Sequence, residues 1–252
     1  MQNIQKYFLE ISYLGTNYFG WQFQKNAITV QQKITEALEI YLKHPVKVLA
    51  SGRTDTGVHA KQQFVQFCTS NPITEKIIIA LNALLPYDIS VKNIYKVPEN
   101  ASARFDALKR KYVYSITRFK NPFYNHLAYF FPFELNLDIM NQACEIILQT
   151  NDFECFCKLG SNYKHHHCTV YECFWEHSDE LILFHITANR FLRGMVRAIV
   201  GTLMDVGQNK ISLEKFRDII QSKKRSNAGR NVPPQGLTLL NVWYPEGYLK
   251  KI

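Results

Sequence analysis

The sequence contains no long apolar run, and this absence excludes the most obvious classes of membrane protein. No stretch of its 252 residues approaches the roughly 20 apolar residues that a membrane-spanning helix needs. Its first residues, Met1–Tyr7, lack an apolar segment behind a basic start, so no secretory signal peptide is expected. We therefore expect a cytoplasmic protein without a membrane partner, whose six cysteines are reduced thiols.

Acidic residues are the scarcer charged class. The chain has 21 Asp and Glu against 30 Lys and Arg, a net charge of +9. This excess favours a polyanionic partner, most simply nucleic acid, although a merely basic surface would give the same balance. Hydrophobic residues make up 46% and aromatic residues 13% of the chain, which excludes a disordered protein and allows a sizeable core.

Apolar spacing and turn residues divide the chain into two halves with the same order of elements. In the first half, strand, helix, strand, strand, helix and strand are predicted at 6–13, 29–42, 45–50, 62–68, 75–85 and 89–97. In the second half, the same order is predicted at 110–118, 137–149, 169–176, 181–188, 191–206 and 237–244, with an extra helix at 212–221. We expect Thr29 and Thr74 to cap the two helices of the first half, and Pro86 to end the second of them.

This β-α-β-β-α-β order is that of ferredoxin-like and RNA-recognition folds. It predicts an α+β protein with two tandem domains, residues 1–103 and 104–252, whose mainly antiparallel sheets flank a basic cleft. The boundary is expected near Asn100–Arg104. One larger mixed sheet is the alternative arrangement.

A glycine-flanked loop, Ser51-Gly-Arg-Thr-Asp-Thr-Gly-Val-His-Ala60, lies between two predicted strands. Glycines let a substrate approach closely, and a loop on a scaffold of strands can position a reactive side chain. Asp55 could act there as a nucleophile or base, and Arg53 would favour its ionised form if the two side chains meet. Aspartate beside glycine is more often a structural turn residue, so spacing alone favours the structural interpretation.

Basic and aromatic residues alternate along 103–120, which includes Lys111 and Tyr112. Cations for phosphates and rings for stacking on unpaired bases suit the recognition of single-stranded RNA. The alternative is a strand with a solvated charged face and a buried aromatic face, and we favour that alternative for Tyr114. On the helix predicted at 191–206, Arg197 would share a face with Arg190 and Arg193, which precede and begin it. Only Asp205 is available there as an acid, which favours a phosphate or carboxylate contact over a merely solvated face.

Two further segments stand out. Cys155-Phe-Cys157, His165-His-His-Cys168 and Cys173 contain possible metal ligands, but their spacing is not that of a zinc knuckle or finger. We expect the cysteines to pack in the core and 164–167 to form a basic loop at the RNA, with structural zinc as the minor alternative. Residues 223–225 and Arg230 suggest a mobile basic arm.

Several segments, taken in order, are similar to motifs of the bacterial tRNA pseudouridine synthases of the TruA family. The resemblance covers nearly the whole chain, and its most specific part is the Asp55 loop. The segments that carry it are Tyr13-Leu-Gly-Thr-Asn-Tyr-Phe-Gly-Trp-Gln22, 29–32, Gly52-Arg-Thr-Asp-Thr-Gly-Val-His-Ala60, Leu81-Asn-Ala-Leu-Leu-Pro-Tyr-Asp-Ile89, Lys111-Tyr-Val-Tyr114, Met195-Val-Arg197 and Gln235-Gly-Leu237.

The resemblance implies that Asp55 is the catalytic aspartate, Arg53 its partner, Arg197 a second active-site arginine and Tyr112 the aromatic residue at the target base. Arg190, Arg193 and Lys111 are expected to bind the substrate. The implied reaction converts uridine to pseudouridine at about positions 38–40 in the anticodon arm of tRNA. The implied enzyme is a homodimer that needs no cofactor and no metal.

Two other functions remain as alternatives. A non-catalytic protein with two RNA-recognition-like domains would need exposed aromatic residues at the centre of both sheets. A zinc-dependent base deaminase would need an H-x-E and a P-C-x-x-C motif, which the sequence lacks.

Overall fold

A computed structural model describes residues 4–252, and they divide into two compact units. The first unit runs up to Leu108 and also contains Leu239–Ile252, and the second unit is Lys109–Thr238. Compactness does not establish independent folding, so the division into domains 1–103 and 104–252 stays a prediction.

Ten strands and five α-helices occur within the described residues 4–252. In chain order they are β1 (Gln5–Tyr13), α1 (Val30–Leu42), β2 (Leu49–Ala50), β3 (His59–Thr69), α2 (Lys76–Leu84), β4 (Ile89–Lys96), β5 (Lys109–Thr117), β6 (Tyr129–Phe130), α3 (Leu137–Leu148), β7 (Val170–Ser178), β8 (Leu181–Ala188), α4 (Met195–Gly207), α5 (Leu213–Ser222), β9 (Leu237–Trp243) and β10 (Lys250–Lys251).

The sheet of the first unit contains neighbouring strands in the order β10-β4-β1-β3, with β2 beside β3. All of these pairs are antiparallel. Because side chains alternate along a strand, Leu9 and Ile11 of β1 lie on the face opposite Phe8 and Glu10. All four are buried, so both faces of this strand are covered.

The predicted helix boundaries of the first unit are partly confirmed. Thr29 caps α1 because its hydroxyl accepts a hydrogen bond from the backbone N–H of Gln32, at 3.3 Å. The predicted cap at Thr74 is wrong, since Glu75 occupies the N-cap position of α2 without a side-chain hydrogen bond. The helix ends before Pro86, where Leu85 is extended, as the residue before a proline prefers to be.

The strand predicted at 45–50 is also shorter than expected. Only Leu49–Ala50 pairs, with Gln66 and Val65 of β3. Residues 45–48 alternate between exposed and half-buried, but sheet pairing depends on a partner strand, which sequence alternation alone does not supply.

The sheet of the second unit contains β5-β8-β7, joined by antiparallel pairs, with the two-residue β6 parallel to β5. Helix α3 packs on β7, where the Asn141 side chain hydrogen-bonds both the N–H and the carbonyl of Trp175, at 2.7 and 3.1 Å. Tyr114 and Phe184, two large side chains of this core, are paired across β5 and β8 and are fully buried.

Helix α4 begins four residues later than predicted. Gly194 occupies its N-cap position with a φ of 72°, a left-handed conformation that glycine adopts without steric cost. The backbone groups of Arg193 bond elsewhere, since its N–H donates to the Tyr163 hydroxyl and its carbonyl accepts from the N–H of Lys158. These contacts hold the segment before Met195 outside the helix.

The extra helix predicted at 212–221 is confirmed as α5, capped by Ser212. The molecule is thus an α+β protein with mainly antiparallel strands, as predicted, while the tandem ferredoxin-like interpretation and the basic cleft stay predictions. Within residues 4–252, no helix has both the length and the apolar composition that crossing a membrane requires.

Candidate active site

The Asp55 loop connects β2 to β3 in the first unit, and a buried hydrogen-bond relay holds its backbone. The Tyr13 hydroxyl donates to Gln63 Oε1 at 2.7 Å and lies 2.8 Å from Thr54 Oγ1. The Gln63 amide then donates to the carbonyl of Gly52 at 2.6 Å. Tyr13, Gln63 and Thr54 are all buried, so the residues on both sides of Arg53 are tied to β1 and β3.

Two glycines of the opening motif bring a second segment against this loop. A Cβ on Gly15 would lie 2.0 Å from the carbonyl oxygen of Val58, and one on Gly20 would lie 2.7 Å from that of Thr54. Gly20 also has a φ of 84°. The N–H of Trp21 donates to the Thr54 carbonyl at 3.1 Å. Only glycine permits this backbone approach, which explains the motif as a support for the loop.

Asp55 itself is half-buried, between the buried Thr54 and the exposed Thr56. Its backbone carbonyl accepts from Val58, which closes a turn that Gly57 completes with a φ of 77°. Arg53 is exposed at the edge of this turn. The partnership of Arg53 with Asp55 stays a prediction.

Tyr112 and Lys111 lie on opposite faces of β5 in the second unit, because neighbouring strand residues alternate. The Tyr112 ring is buried and meets the Phe191 ring edge-on, with centroids 5.0 Å apart. The Lys111 ammonium lies 3.2 Å from Glu172, near the ring of Phe174. A ligand on the Tyr112 face would not meet the Lys111 ammonium, so Lys111 is the predicted substrate contact with the least support.

Arg197 lies in the first turn of α4, where it is bound to the segment that precedes β9. Its Nε donates to the carbonyl of Val232 at 2.7 Å, and its own carbonyl accepts from the Val232 N–H. The Tyr114 hydroxyl donates to the carbonyl of Pro233 at 2.8 Å. Burial raises the pKa of Tyr114, so it remains a neutral donor.

Sequence reasoning did not identify the residues that hold this segment against α4. A Cβ on Gly201 would lie 1.9 Å from the carbonyl oxygen of Arg230, and one on Gly229 would lie 2.8 Å from the backbone nitrogen of Thr202. The Gly229 N–H also donates to the Thr202 hydroxyl. An isolated glycine inside the apolar stripe of a predicted helix was the available signal.

The prediction that Arg190, Arg193 and Arg197 share one helical face is wrong, because only Arg197 belongs to α4. Arg190 instead stacks over the Tyr163 ring, with its guanidinium carbon 5.5 Å from the ring centroid. Arg193 is exposed in the turn before Gly194. The expectation of an anion contact therefore no longer rests on a shared helical face, and the three arginines have separate surroundings.

The cysteines of 155–173 are core residues, as expected. Cys155, Cys157, Cys168 and Cys173 are buried, and burial raises the pKa of Cys155 to about 12 and that of Cys168 to about 11. Burial in apolar surroundings therefore keeps both thiols protonated and unreactive in the metal-free chain. In the described part of the chain, the one group of three potential ligands is Asp152, Glu154 and His166, and it contains no cysteine.

The expected mobile basic arm is also wrong. Lys223 lies 2.7 Å from Asp152, and the Arg225 guanidinium donates to the carbonyls of Ala228 and Gly229. It also donates to Asn231 Oδ1 at 2.9 Å. These contacts hold the segment between α5 and β9 in place. They depend on tertiary packing, which the cluster of basic residues in the sequence did not indicate.

The helix-free face of the first sheet is covered by the end of the chain. Tyr244 packs on Phe8 and Phe64, with centroids 5.5 and 5.1 Å apart, and Tyr248 stacks on Tyr244. Phe8 and Phe64 are 0% and 2% exposed. They are therefore not available to stack on RNA bases, which argues against a pair of RNA-recognition-like domains.

A family model described as tRNA pseudouridine synthase matches residues 11–106 and 143–245, a span that includes the Asp55 loop and Arg197. The chain is 43% identical over 245 residues to tRNA pseudouridine synthase A of Parabacteroides distasonis, covering 96% of this chain and 97% of that protein. Proteins of the same name from Azobacteroides pseudotrichonymphae and Caldicellulosiruptor bescii are each 42% identical, covering 98% and 97% of this chain and 100% of each of theirs.

Proposed function

Because the chain belongs to the tRNA pseudouridine synthase family, it is an isomerase that acts on tRNA uridine, and we propose that Asp55 is its catalytic nucleophile. We further propose that the target uridines lie in the anticodon arm, at one or more of about positions 38–40. The resemblance of the whole chain to this family, with the Asp55 loop as its most specific part, carries both proposals.

The support given to the Asp55 loop favours a catalytic role over a plain turn. Gln63 and Trp21 hydrogen-bond the backbone of the loop, and Tyr13 hydrogen-bonds the side chains of Thr54 and Gln63. Gly15 and Gly20 allow a second segment to press against the loop. An ordinary surface turn does not need this much buried support, whereas a reacting carboxylate must be held to within about 1 Å of its position.

The reaction needs no other substrate than the uridine. The bond between N1 and C1′ breaks, the base rotates, and a new bond forms between C5 and C1′. The proton on C5 is then lost and N1 gains one, so atoms and charge balance. The base must leave its stack before it can rotate, at a cost of a few kcal/mol that stacking and phosphate contacts offset.

The other predicted residues have supporting roles in this proposal. Arg53 and Arg197 assist Asp55 or hold a phosphate, and Tyr112 stacks on the target base or relays the C5 proton. Arg190, Arg193 and Lys111 bind the substrate. We also propose that the enzyme works as a homodimer in the cytoplasm, where its tRNA substrate is found.

The conservative variant Asp55→Asn tests the catalytic assignment. It keeps the size of the side chain but removes the nucleophile, so pseudouridine formation on unmodified tRNA should fall by about 10⁴-fold or more. Binding of tRNA, measured by fluorescence anisotropy, should be largely retained. The matched control is Asp218→Asn on the exposed side of α5, which should react like the wild type. An active Asp55→Asn enzyme would sink the assignment.

Mass mapping of pseudouridine along tRNA, from cells with and without this gene, tests the proposed positions. The modification should disappear from the anticodon arm, while pseudouridine elsewhere in tRNA should persist. If the anticodon arm keeps its pseudouridine in the deletion strain, the assignment of position is wrong although the enzyme class stands.

Whether Asp55 acts as a nucleophile or as a base can be tested by a separate measurement. A carboxylate at this position could attack C1′, attack C6, or remove the proton at C2′ of the sugar. Deuterium at C2′ of the target uridine should leave the single-turnover rate unchanged if Asp55 is a nucleophile. A primary isotope effect would show that Asp55 acts as the base that removes the C2′ proton and not as a nucleophile.

A further inference from the structure

A basic surface in the second unit is built from two segments that are distant in sequence. Residues 158–168 form an irregular loop, and residues 189–193 lead into α4. Together they contain Lys158, Lys164, Arg190 and Arg193, three consecutive histidines and no acidic residue. We name the loop 158–168 and the segment 189–193 together the Tyr163 surface.

Tyr163 and Lys158 fasten the two segments to each other. The Tyr163 hydroxyl accepts a hydrogen bond from the backbone N–H of Arg193 at 3.1 Å. The backbone N–H of Lys158 donates to the carbonyl of Arg193 at 2.9 Å. The loop and the segment are therefore one structure, although the twenty residues 169–188 lie between them in the sequence.

The Arg190 guanidinium is braced on two sides. Its carbon atom lies 5.5 Å from the centroid of the Tyr163 ring, a cation–π distance, and Nη1 lies 3.4 Å from His165 Nε2. A guanidinium has five N–H donors, so these two contacts leave donors for a planar, two-oxygen contact with a phosphate. Bracing also reduces the side-chain entropy that Arg190 would lose on binding.

Two acids lie beside this surface, and they are fewer than its four cations, Lys158, Lys164, Arg190 and Arg193. Glu154 lies 3.8 Å from Nδ1 of His166, and Asp152 lies 2.7 Å from the Lys223 ammonium. Arg190 forms no ion pair with an acid among residues 4–252. The surface therefore presents excess positive charge, as a polyanion requires.

We propose that the Tyr163 surface binds the phosphate backbone of the RNA substrate, with Arg190 as the phosphate contact and Tyr163 as its positioning residue. The proposal rests on the proposed function, since it takes RNA as the ligand. It adds a binding role for Tyr163 and the loop 158–168. Phosphates carry no base identity, so this surface contributes affinity and orientation and not the choice of uridine.

Salt-dependent binding of unmodified tRNA by Arg190→Gln tests the proposal. We expect the slope of log affinity against log salt to become shallower by about 1, and affinity at 0.15 M salt to fall about fivefold. Arg190→Lys keeps the charge but not the planar stack, so its affinity for tRNA should lie between that of the wild type and that of Arg190→Gln. Arg217→Gln, an exposed arginine on α5, removes the same charge outside the surface and should match the wild type.

The role of Tyr163 is tested by its dependence on Arg190. Tyr163→Leu removes the ring and the hydroxyl and should weaken tRNA binding, whereas Tyr163→Phe keeps the ring and should recover most of the affinity. In the Arg190→Gln background, Tyr163→Leu should cause little further loss, because its effect acts through Arg190. Additive losses would overturn the positioning role.

Binding in the Asp55→Asn background separates this proposal from the catalytic one. If wild-type enzyme makes pseudouridine but Arg190→Gln binds tRNA with an unchanged affinity and salt slope, the Tyr163 surface is not an RNA contact. Arg190 then has no role in substrate binding, while the assigned reaction and the catalytic role of Asp55 stand. If the surface variants weaken binding while Asp55→Asn remains active, the surface proposal stands and the nucleophile is misassigned.

Discussion

The two units use the helix-free faces of their sheets in different ways. In the first unit, Tyr244 and Tyr248 from the end of the chain cover Phe8 and Phe64, which are fully buried. In the second unit, the corresponding face carries the ion pair of Lys111 with Glu172, and a stack of Phe174 on His185 with centroids 4.6 Å apart. These side chains are half-buried or exposed.

The difference shows that two units with the same order of elements need not use their sheet faces for the same role. In the first unit, this sheet face is buried and contributes to stability, and the catalytic residue is expected in the loop between β2 and β3. The second unit keeps polar groups on its sheet face, and its predicted functional residues lie on β5 and at the start of α4. A catalytic function assigned by analogy between the halves would therefore be misplaced.

The largest expected effect comes from removing the cover of the first sheet. Tyr244→Ala removes ring contacts to Phe8, Phe64 and Tyr248, and should lower the free energy of unfolding by about 3–5 kcal/mol. Phe174→Ala on the second sheet should cost about 1 kcal/mol, because its ring stacks on the half-buried His185 rather than on fully buried phenylalanines. Urea unfolding of both variants measures the difference, and equal losses would remove the contrast between the faces.

Next in size are the backbone contacts that support each predicted functional region. Gly15→Ala would drive a Cβ into Val58, and Gly201→Ala into Arg230, so each should cost about 1–3 kcal/mol of stability. Gly52→Ala is the control for melting temperature, because a Cβ there meets nothing within 4 Å.

Activity distinguishes these two glycine variants further. Gly15→Ala shifts the backbone of the Asp55 loop, and a displacement of about 1 Å should lower kcat by about 10²-fold at a temperature where the variant is folded. Gly201→Ala shifts the segment that binds Arg197 instead. A Gly15→Ala enzyme with normal kcat would show that the loop tolerates displacement, contrary to the role proposed for its support.

The smallest effects concern pH, and the two units should respond in different ranges. Burial opposes ionisation of Glu10, but hydrogen bonds from Gln62, Asn93 and Tyr95 outweigh it and lower its pKa. Burial lowers the pKa of His185, in spite of the nearby Glu176. Both groups bind fewer protons when folded, so each contributes stability above its ordinary pKa that is lost as the pH falls through the lowered value.

Melting temperatures between pH 3 and pH 8 test this order. The contribution of His185 should begin to decline near pH 6.5 and that of Glu10 near pH 4.3, roughly their ordinary pKa values. His185→Gln should flatten the upper part of the wild-type curve and Glu10→Gln the lower part. Curves that stay parallel to the wild type would show that neither shift contributes to stability.

The elements that sequence predicted well are those whose signal is local. The alternation in β1 and β5, the cap at Thr29 and the stop before Pro86 all depend on residues within a few positions of each other. The Asp55 loop was recognisable for the same reason, since its glycines and its aspartate are contiguous. The sequence by itself therefore determined the α+β class, the family and the candidate loop.

Tertiary structure alone decided where α4 begins, how the basic residues are used and what covers the first sheet. Arg190 and Arg193 have helical spacing, but the Tyr163 hydroxyl takes the Arg193 N–H and Gly194 turns the chain, so they lie outside α4. The sequence predicts Lys223 and Arg225 to belong to a free basic arm. In the structure, Lys223 pairs with Asp152, and Arg225 donates to the carbonyls of Ala228 and Gly229. In each case the deciding partner is distant in sequence or is a backbone group, and neither leaves a periodic signal in the side chains.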